Sequence, residues 1–232
     1  METTDRARLD AYFGKVADRF TPTERPSSLL ITHVLPERPA FVGAVGTVSR
    51  LRAVLPKPKS IHASARREIE RTVACDVLSR DTFSDPDTAV TYLETRAAGE
   101  RVVLLDVGGY FAPCLEALCE RFSGTVLGVV EDTENGHKRY AERDKLPCPV
   151  VSVARSPLKD PEDFLVGQSV VFSAEALLRQ RGDILHGRPA LVLGFGKLGS
   201  SIARLLHVKG VRSSSTTSTP YGAHRPCHGD SR

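Results

Sequence analysis

Long apolar runs, a secretory leader and a strong charge of one sign are all missing from this sequence. No apolar run reaches the ~18 residues that a membrane-spanning helix needs, and the segment Met1–Arg6 begins acidic without an apolar signal region. The net charge is only +4 over 232 residues, and the arginines are scattered. A nucleic-acid-binding protein would carry a concentrated basic patch. These absences predict a cytoplasmic protein with neither a membrane nor a nucleic-acid partner.

Cysteine is also sparse, and its spacing excludes two common roles. The cysteines are Cys75, Cys114, Cys119, Cys148 and Cys227. They form no Cys-x-x-Cys pair and no spacing typical of metal ligands. We therefore expect reduced thiols and no metal site.

A glycine-rich turn near the carboxyl terminus is the most informative segment that is present. The apolar run 191–193 leads into a Gly-x-Gly-x-x-Gly pattern, and a helical pattern follows. In a dinucleotide-binding βαβ unit the first glycine allows a tight turn, the second admits a pyrophosphate, and the third lets the helix pack closely. The predicted cofactor-binding residues are Gly194, Phe195, Gly196, Lys197, Leu198 and Gly199.

Strand-like apolar runs alternate with helical patterns along the rest of the chain. Residues 101–106 have the pattern of a buried strand, and a helix is predicted over 85–98 with Asp85 as its N-cap and Pro86 as its first residue. This alternation predicts an α/β fold, a Rossmann-like layered parallel sheet followed by the first βα unit of an NAD-binding Rossmann domain.

The sequence divides into four predicted segments. They are an amino-terminal helix and connector (1–27), a substrate-type α/β domain (28–166), a linker helix with the start of the NAD-binding domain (167–211), and a tail (212–232). The tail is rich in serine and threonine and lacks any periodicity, so we expect it to be disordered and to supply no second strand for the βαβ unit.

Five segments, in order and at similar spacing, resemble the adenosylhomocysteinase family. The segments are Leu105–Tyr110, Glu131–Gly136, Lys159–Phe164, the helix from Gly167, and Gly194–Gly199. The family cleaves S-adenosylhomocysteine reversibly, and its tightly bound NAD oxidises the ribose 3′-hydroxyl before the thiol is eliminated. The resemblance therefore implies an NAD cofactor and a small nucleoside thioether as substrate.

The resemblance also implies roles for individual residues. Lys159, Asp163 and Asp132 are the implied catalytic residues, and His33 is the implied substrate-binding residue. The implied contacts to the cofactor outside the glycine turn are Thr133, Glu134 and Asn135.

Departures from the family pattern keep other functions open. Val107 and Tyr110 stand where the family has aspartates, and Ala154 and Phe164 replace asparagines. The main interpretation is an adenosylhomocysteinase-like NAD-dependent hydrolase that is impaired by truncation. The first alternative is a non-catalytic truncated or frameshifted remnant or binding module, and the second is a 2-hydroxyacid dehydrogenase-like oxidoreductase. A homo-oligomer is expected only if the cofactor domain is completed.

Overall fold

The chain forms two compact units, Met1–Arg155 and Ser156–Arg232. The structure is a computed structural model, and it describes residues 3–79 and 81–216. Within this described part, strands and helices alternate in both units and every strand pairing is parallel. The α/β fold class predicted from the sequence is confirmed.

The first unit is built on a six-stranded parallel sheet. Its strands are β1 (Ser27–Val34), β2 (Arg50–Ile61), β3 (Ala74–Cys75), β4 (Arg101–Asp106), β5 (Thr125–Glu131) and β6 (Val150–Ser152). Its helices are α1 (Thr3–Arg19), α2 (Arg38–Val48), α3 (Ala63–Ile69), α4 (Pro86–Ala97), α5 (Leu115–Arg121) and α6 (Glu134–Ala141).

The strand order in this sheet is β3-β2-β1-β4-β5-β6. The direction of winding reverses between β1 and β4, which is the arrangement of doubly wound nucleotide-binding folds. In such sheets ligands bind in the crevice beyond the carboxyl ends of the strands at the reversal. The loops after β1 and β4 are therefore the expected location of a ligand site in this unit.

The core lies on both faces of the sheet, as the two-residue period of a strand requires. Leu29 and Ile31 pack into a cluster with Leu104 on one face, whereas Leu30 and Val34 pack into a separate cluster on the other. Burial on both faces explains why these strands are continuously apolar rather than alternating.

The second unit is a βαβ arrangement preceded by a long helix. Its elements are α7 (Asp160–Gln180), β7 (Pro189–Leu193), α8 (Lys197–Val208) and β8 (Arg212–Thr216). Val171 of α7 shares a small core with Val192 and Ala203, and the Ser201 hydroxyl donates a 2.6 Å hydrogen bond to the Phe164 carbonyl. The predicted boundary between segments 28–166 and 167–211 lies inside α7, and this division of the chain stays a prediction.

Strand β8 corrects the prediction for the tail. Arg212–Thr216 pairs in parallel with β7 over five positions, from Pro189 opposite Arg212 to Leu193 opposite Thr216. The expectation that no second strand follows α8 is therefore wrong. Backbone hydrogen bonds hold the strand, so its hydroxyl-bearing side chains do not prevent pairing. Residues 217–232 of the predicted tail lie outside the described residues.

Helix length and hydropathy bear on the membrane prediction. No helix in the described ranges is long and apolar enough to cross a bilayer.

Candidate functional site

The glycine turn of the second unit forms the connection that its sequence predicts. Gly194 follows β7 with a φ of +95°, a conformation that glycine adopts without the cost that a side chain would add. Its N–H donates a 2.7 Å hydrogen bond to the carbonyl of Thr216, the last residue of β8. The turn is therefore fixed to both strands of the βαβ unit.

The third glycine of the motif permits the close approach of helix to turn. A Cβ added to Gly199 would overlap the carbonyl oxygen of Gly194 and touch the Val192 side chain. Only glycine fits there without displacing backbone. By contrast, a Cβ added to Gly196 would meet nothing within 4 Å, so the space beside this residue is open to a ligand.

The amino terminus of α8 is suited to an anion. Gly196 is the N-cap residue, and it has no side chain to accept hydrogen bonds from the first turn of the helix. The first N–H groups of any α-helix lack intrahelical partners and lie at the positive end of the helix dipole. A pyrophosphate is the ligand that such a glycine-bordered helix start binds in dinucleotide sites. The residues present therefore fit a dinucleotide.

Carboxylates from α7 surround the lysine of the turn. Lys197 Nζ lies 2.7 Å from Asp160 Oδ1 and 3.7 Å from Asp163 Oδ2, and the hydrogen bond to Asp160 is the main cause that raises the pKa of Lys197. These groups border a cavity of about 330 Å³. Lys159 pairs with Glu162 at 2.9 Å. Of the two predicted catalytic residues in this unit, Asp163 thus lies beside the glycine turn.

No carboxylate follows β8 at the position where a NAD site carries one. That acid lies about 20 residues after the first glycine and binds the ribose hydroxyl, but the sequence from 213 to 229 contains neither Asp nor Glu. Ser215 and Thr216 end the strand instead.

In the first unit, a buried glutamate organises the loops at the carboxyl edge of the sheet. Glu131 is fully buried and accepts hydrogen bonds from the N–H groups of Gly108 (3.0 Å) and Gly109 (2.9 Å), from the Thr133 N–H (2.7 Å) and from the Thr133 hydroxyl (2.6 Å). A Cβ on Gly136 would overlap this carboxylate. Glu131 therefore fixes the loops after β4 and β5, and sequence reasoning gave it no role of its own.

Asp106 stands opposite Glu131 in the sheet register and is also buried. Its Oδ2 accepts from the Phe111 N–H (3.1 Å) and the Tyr140 hydroxyl (2.6 Å), and its Oδ1 has no hydrogen-bond partner in the described part of the chain. Burial and the neighbouring Glu131 charge raise the pKa of Asp106 to about 6. The pair therefore holds a proton more readily than two exposed carboxyls would.

The predicted cofactor contacts of this unit lie at the start of α6. Thr133 is the N-cap residue and accepts a 3.0 Å hydrogen bond from the Gly136 N–H. Glu134 forms a 2.6 Å ion pair with Arg155, and Asn135 is exposed. The contact of Thr133, Glu134 and Asn135 with a cofactor stays a prediction.

His33 and Asp132 come together at the same edge of the sheet. Burial chiefly lowers the pKa of His33, the Lys57 and Arg38 charges lower it further, and Asp132 acts in the opposite direction. Sequence reasoning missed Lys57 and Arg38. The signal available for Lys57 was its place directly after an apolar run, inside Pro56–Pro58.

The predicted residues thus fall into two groups, one in each unit. His33, Asp132, Thr133, Glu134 and Asn135 belong to the first unit, and Lys159, Asp163 and the glycine turn belong to the second. Among the described residues, no group of three or more His, Cys, Asp or Glu side chains is placed so that it could hold a metal ion.

Comparison with known proteins gives distant similarities. No protein-family model matches the chain. A phosphoglycerate oxidoreductase from Vibrio cholerae O395 is 14% identical with a TM-score of 0.39, and the match covers 84% of this chain and 56% of that one. The Leu-bound hetero-hexameric glutamate dehydrogenase from Thermus thermophilus is 16% identical with a TM-score of 0.27, with coverage of 87% and 44%. The chain spans about half the length of these structures.

These comparisons overturn the predicted membership of the adenosylhomocysteinase family. Neither similar structure is an adenosylhomocysteinase, and no family model matches, so the family assignment is wrong and the hydrolase function that followed from it has no support from these comparisons. The physical reason lies in the motifs. A glycine turn and alternating strands and helices are common to many dinucleotide-binding proteins, whereas Val107 and Tyr110 lack the carboxylates that would have been specific.

Proposed function

We propose that this chain is part of an NAD(P)-dependent oxidoreductase of the 2-hydroxyacid dehydrogenase type, the second alternative considered from the sequence. The observation that carries the proposal is the βαβ unit around Gly194, Gly196 and Gly199. The turn is fixed to both strands, the helix start faces open space, and the third glycine is sterically required. A dinucleotide is the ligand class that this combination binds.

The residues of the turn have separable roles in this proposal. The first-turn N–H groups of α8 bind the pyrophosphate, and Gly196 leaves room for it. Asp160 and Asp163 hold the Lys197 ammonium beside the turn, which offsets one of their two negative charges near the phosphates. The bound nicotinamide would supply hydride-transfer chemistry.

The adenosine end favours testing both forms of the cofactor. Ser215 and Thr216 offer hydroxyls where a NAD-selective site has a carboxylate. Lys159, Asp163 and Asp132 stay proposed catalytic residues, and His33 stays a proposed substrate-binding residue.

The test measures binding of NADH and NADPH to the full chain by nucleotide fluorescence and calorimetry. Gly196→Ala is expected to weaken binding at least tenfold without changing Tm, because the added methyl meets no protein atom but enters the phosphate space. Gly43→Ala, a helix position with equally open surroundings, is the matched control and should bind as the parent does. Failure of the parent to bind either nucleotide, or equal binding by Gly196→Ala, would contradict the proposal.

A further inference from the structure

We propose that Cys119 and Cys148 are a modification site, a pair of thiols that a small-molecule disulfide converts into a disulfide bond within the chain. Both residues belong to the first unit, and neither is part of the glycine turn, so the inference is independent of the proposed function. Reduced thiols stay the expected resting state, and the disulfide is the state that an oxidant produces.

The direction of the chain brings the two cysteines to the same edge of the sheet. Helix α5 returns from the end of β4 to the start of β5, and Cys119 lies in its second half. Cys148 stands two residues before β6. Because β4, β5 and β6 are parallel neighbours, the end of α5 and the start of β6 meet at the amino edge.

Packing and backbone hydrogen bonds hold the two cysteines in place. Both Cys119 and Cys148 pack against the main core cluster of the first unit. The Val129 N–H donates a 2.9 Å hydrogen bond to the Pro149 carbonyl, which fixes the residue after Cys148 to β5. A Cβ added to Gly128 would lie 2.8 Å from this carbonyl oxygen, so a glycine there permits the close approach.

The two thiols contact each other. Their side chains form a hydrogen bond, and both cysteines are half-buried, so they remain accessible to a small oxidant. The hydrogen bond from Cys119 lowers the pKa of Cys148, and the same bond raises the pKa of Cys119. The thiolate is the nucleophile in disulfide exchange. Cys148 is therefore the attacking residue, and Cys119 is the resolving residue.

The other cysteines of the described residues have different surroundings. Cys114 is buried, and its thiol donates a hydrogen bond to the Phe83 carbonyl. Cys75 is half-buried, and burial, followed by the Glu70 charge, raises its pKa to about 11. Little of the reactive thiolate is present at such a site near neutral pH. Oxidation is therefore expected at the contacting pair.

Two exchange steps form the disulfide bond. Cys148 loses its proton to solvent and attacks one sulfur of the small disulfide, which gives a mixed disulfide and expels one small thiolate. Cys119 then loses its proton and attacks the Cys148 sulfur, which expels the second small thiolate. Both small thiolates take up protons. In total, the two protein thiols lose two electrons and two protons, and the small disulfide is reduced to two thiols.

The new bond would close the segment 119–148, which contains β5 and α6. Glu131 and Thr133, which fix the loops at the carboxyl edge, belong to this segment. A disulfide that closes a loop of this length restricts the unfolded chain. We therefore expect oxidation to raise Tm by about 5 °C or more.

The experiment treats the full chain with glutathione disulfide, blocks the remaining thiols and maps non-reduced digests by mass spectrometry. Cleavage after Glu116 separates Cys114 from Cys119. The parent should yield a peptide that links Cys119 to Cys148, and so should Cys75→Ala, the matched control at another half-buried cysteine. Cys119→Ala should lose this link and accumulate glutathione on Cys148, because no thiol resolves the mixed disulfide. Cys148→Ala should lose the link without accumulating glutathione on Cys119.

Four results would overturn the inference. They are a parent chain that stays reduced, a parent that stops at the mixed disulfide, a link to Cys114 or Cys227 in place of the predicted one, and accumulation of glutathione on Cys119 in Cys148→Ala. Thermal melts check that each variant folds and measure the Tm of the oxidised parent. The link map of the parent keeps the test decisive if a variant does not fold.

Discussion

At the scale of single residues, Asp106 and Glu131 are the buried acids that end β4 and β5. They differ in how fully their oxygens are hydrogen-bonded. Glu131 is satisfied by several backbone and hydroxyl donors, whereas one oxygen of Asp106 has no partner in the described residues. The two carboxylates face each other across the register. Burial, and after it the repulsion from Glu131, raises the pKa of the less satisfied group, which is Asp106.

The cost of burying a charged Asp106 carboxylate beside Glu131 predicts that Asp106→Asn stabilises the protein near neutral pH. Folding raises the Asp106 pKa from 3.8 to about 6, so the folded state binds the proton more tightly. The wild-type free energy of unfolding therefore falls as pH rises from about 4 to 6, by about 3 kcal/mol for a shift of about two pKa units. Because Asp106→Asn has no carboxyl group to ionise at this position, its free energy of unfolding should not fall in this way.

Urea denaturation at pH 4, 5.5 and 7.5 measures the effect. The stability difference between Asp106→Asn and the parent should grow between pH 4 and 6 and then level off. Asp144→Asn, an exposed position, is the control. A stability difference that does not change with pH, or destabilisation by Asp106→Asn at pH 7.5, would show that ionisation of Asp106 does not cost the folded state free energy.

At the scale of elements, local signals predicted some boundaries and tertiary contacts decided others. Asp85 caps α4 as its sequence predicts, because its carboxylate accepts from the Thr88 N–H at 2.8 Å. The sequence Arg101–Asp106 matches β4 residue for residue. Helix α6 was missed because it is short and largely polar, and β8 was missed because pairing with β7, not side-chain pattern, creates it.

Helix α6 depends on its cap, and this dependence is testable with Thr133→Ala. The change removes both the cap to Gly136 and the hydroxyl donated to Glu131. We expect a loss of about 1–3 kcal/mol in the free energy of unfolding, from a lost N-cap and a weakened buried carboxylate. Chemical denaturation is the measurement. Thr133→Ser keeps the hydroxyl and should recover most of the loss; equal losses in both variants would refute the cap.

At the scale of the whole molecule, the sequence predicted the class of fold and the glycine turn. It did not predict which charged residues lie near His33 at the carboxyl edge of the sheet in the first unit. The residues of the turn are contiguous in the sequence, so their spacing alone is enough to recognise the motif. Arg38 begins α2 and Lys57 lies on β2, and only the folded arrangement brings both charges near His33. The family assignment was wrong for a related reason. Short motifs that many dinucleotide-binding proteins share do not determine which substrate a protein acts on.

The central claim is that a dinucleotide binds at the start of α8. Hydrogen exchange of the full chain, with and without saturating NADH or NADPH, tests it directly because it locates the bound nucleotide along the sequence. We expect slowed exchange in peptides that cover 194–199 and the end of β8, and this protection should disappear in Gly196→Ala. Protection confined to peptides outside the second unit, or no protection with either nucleotide, would contradict the claim.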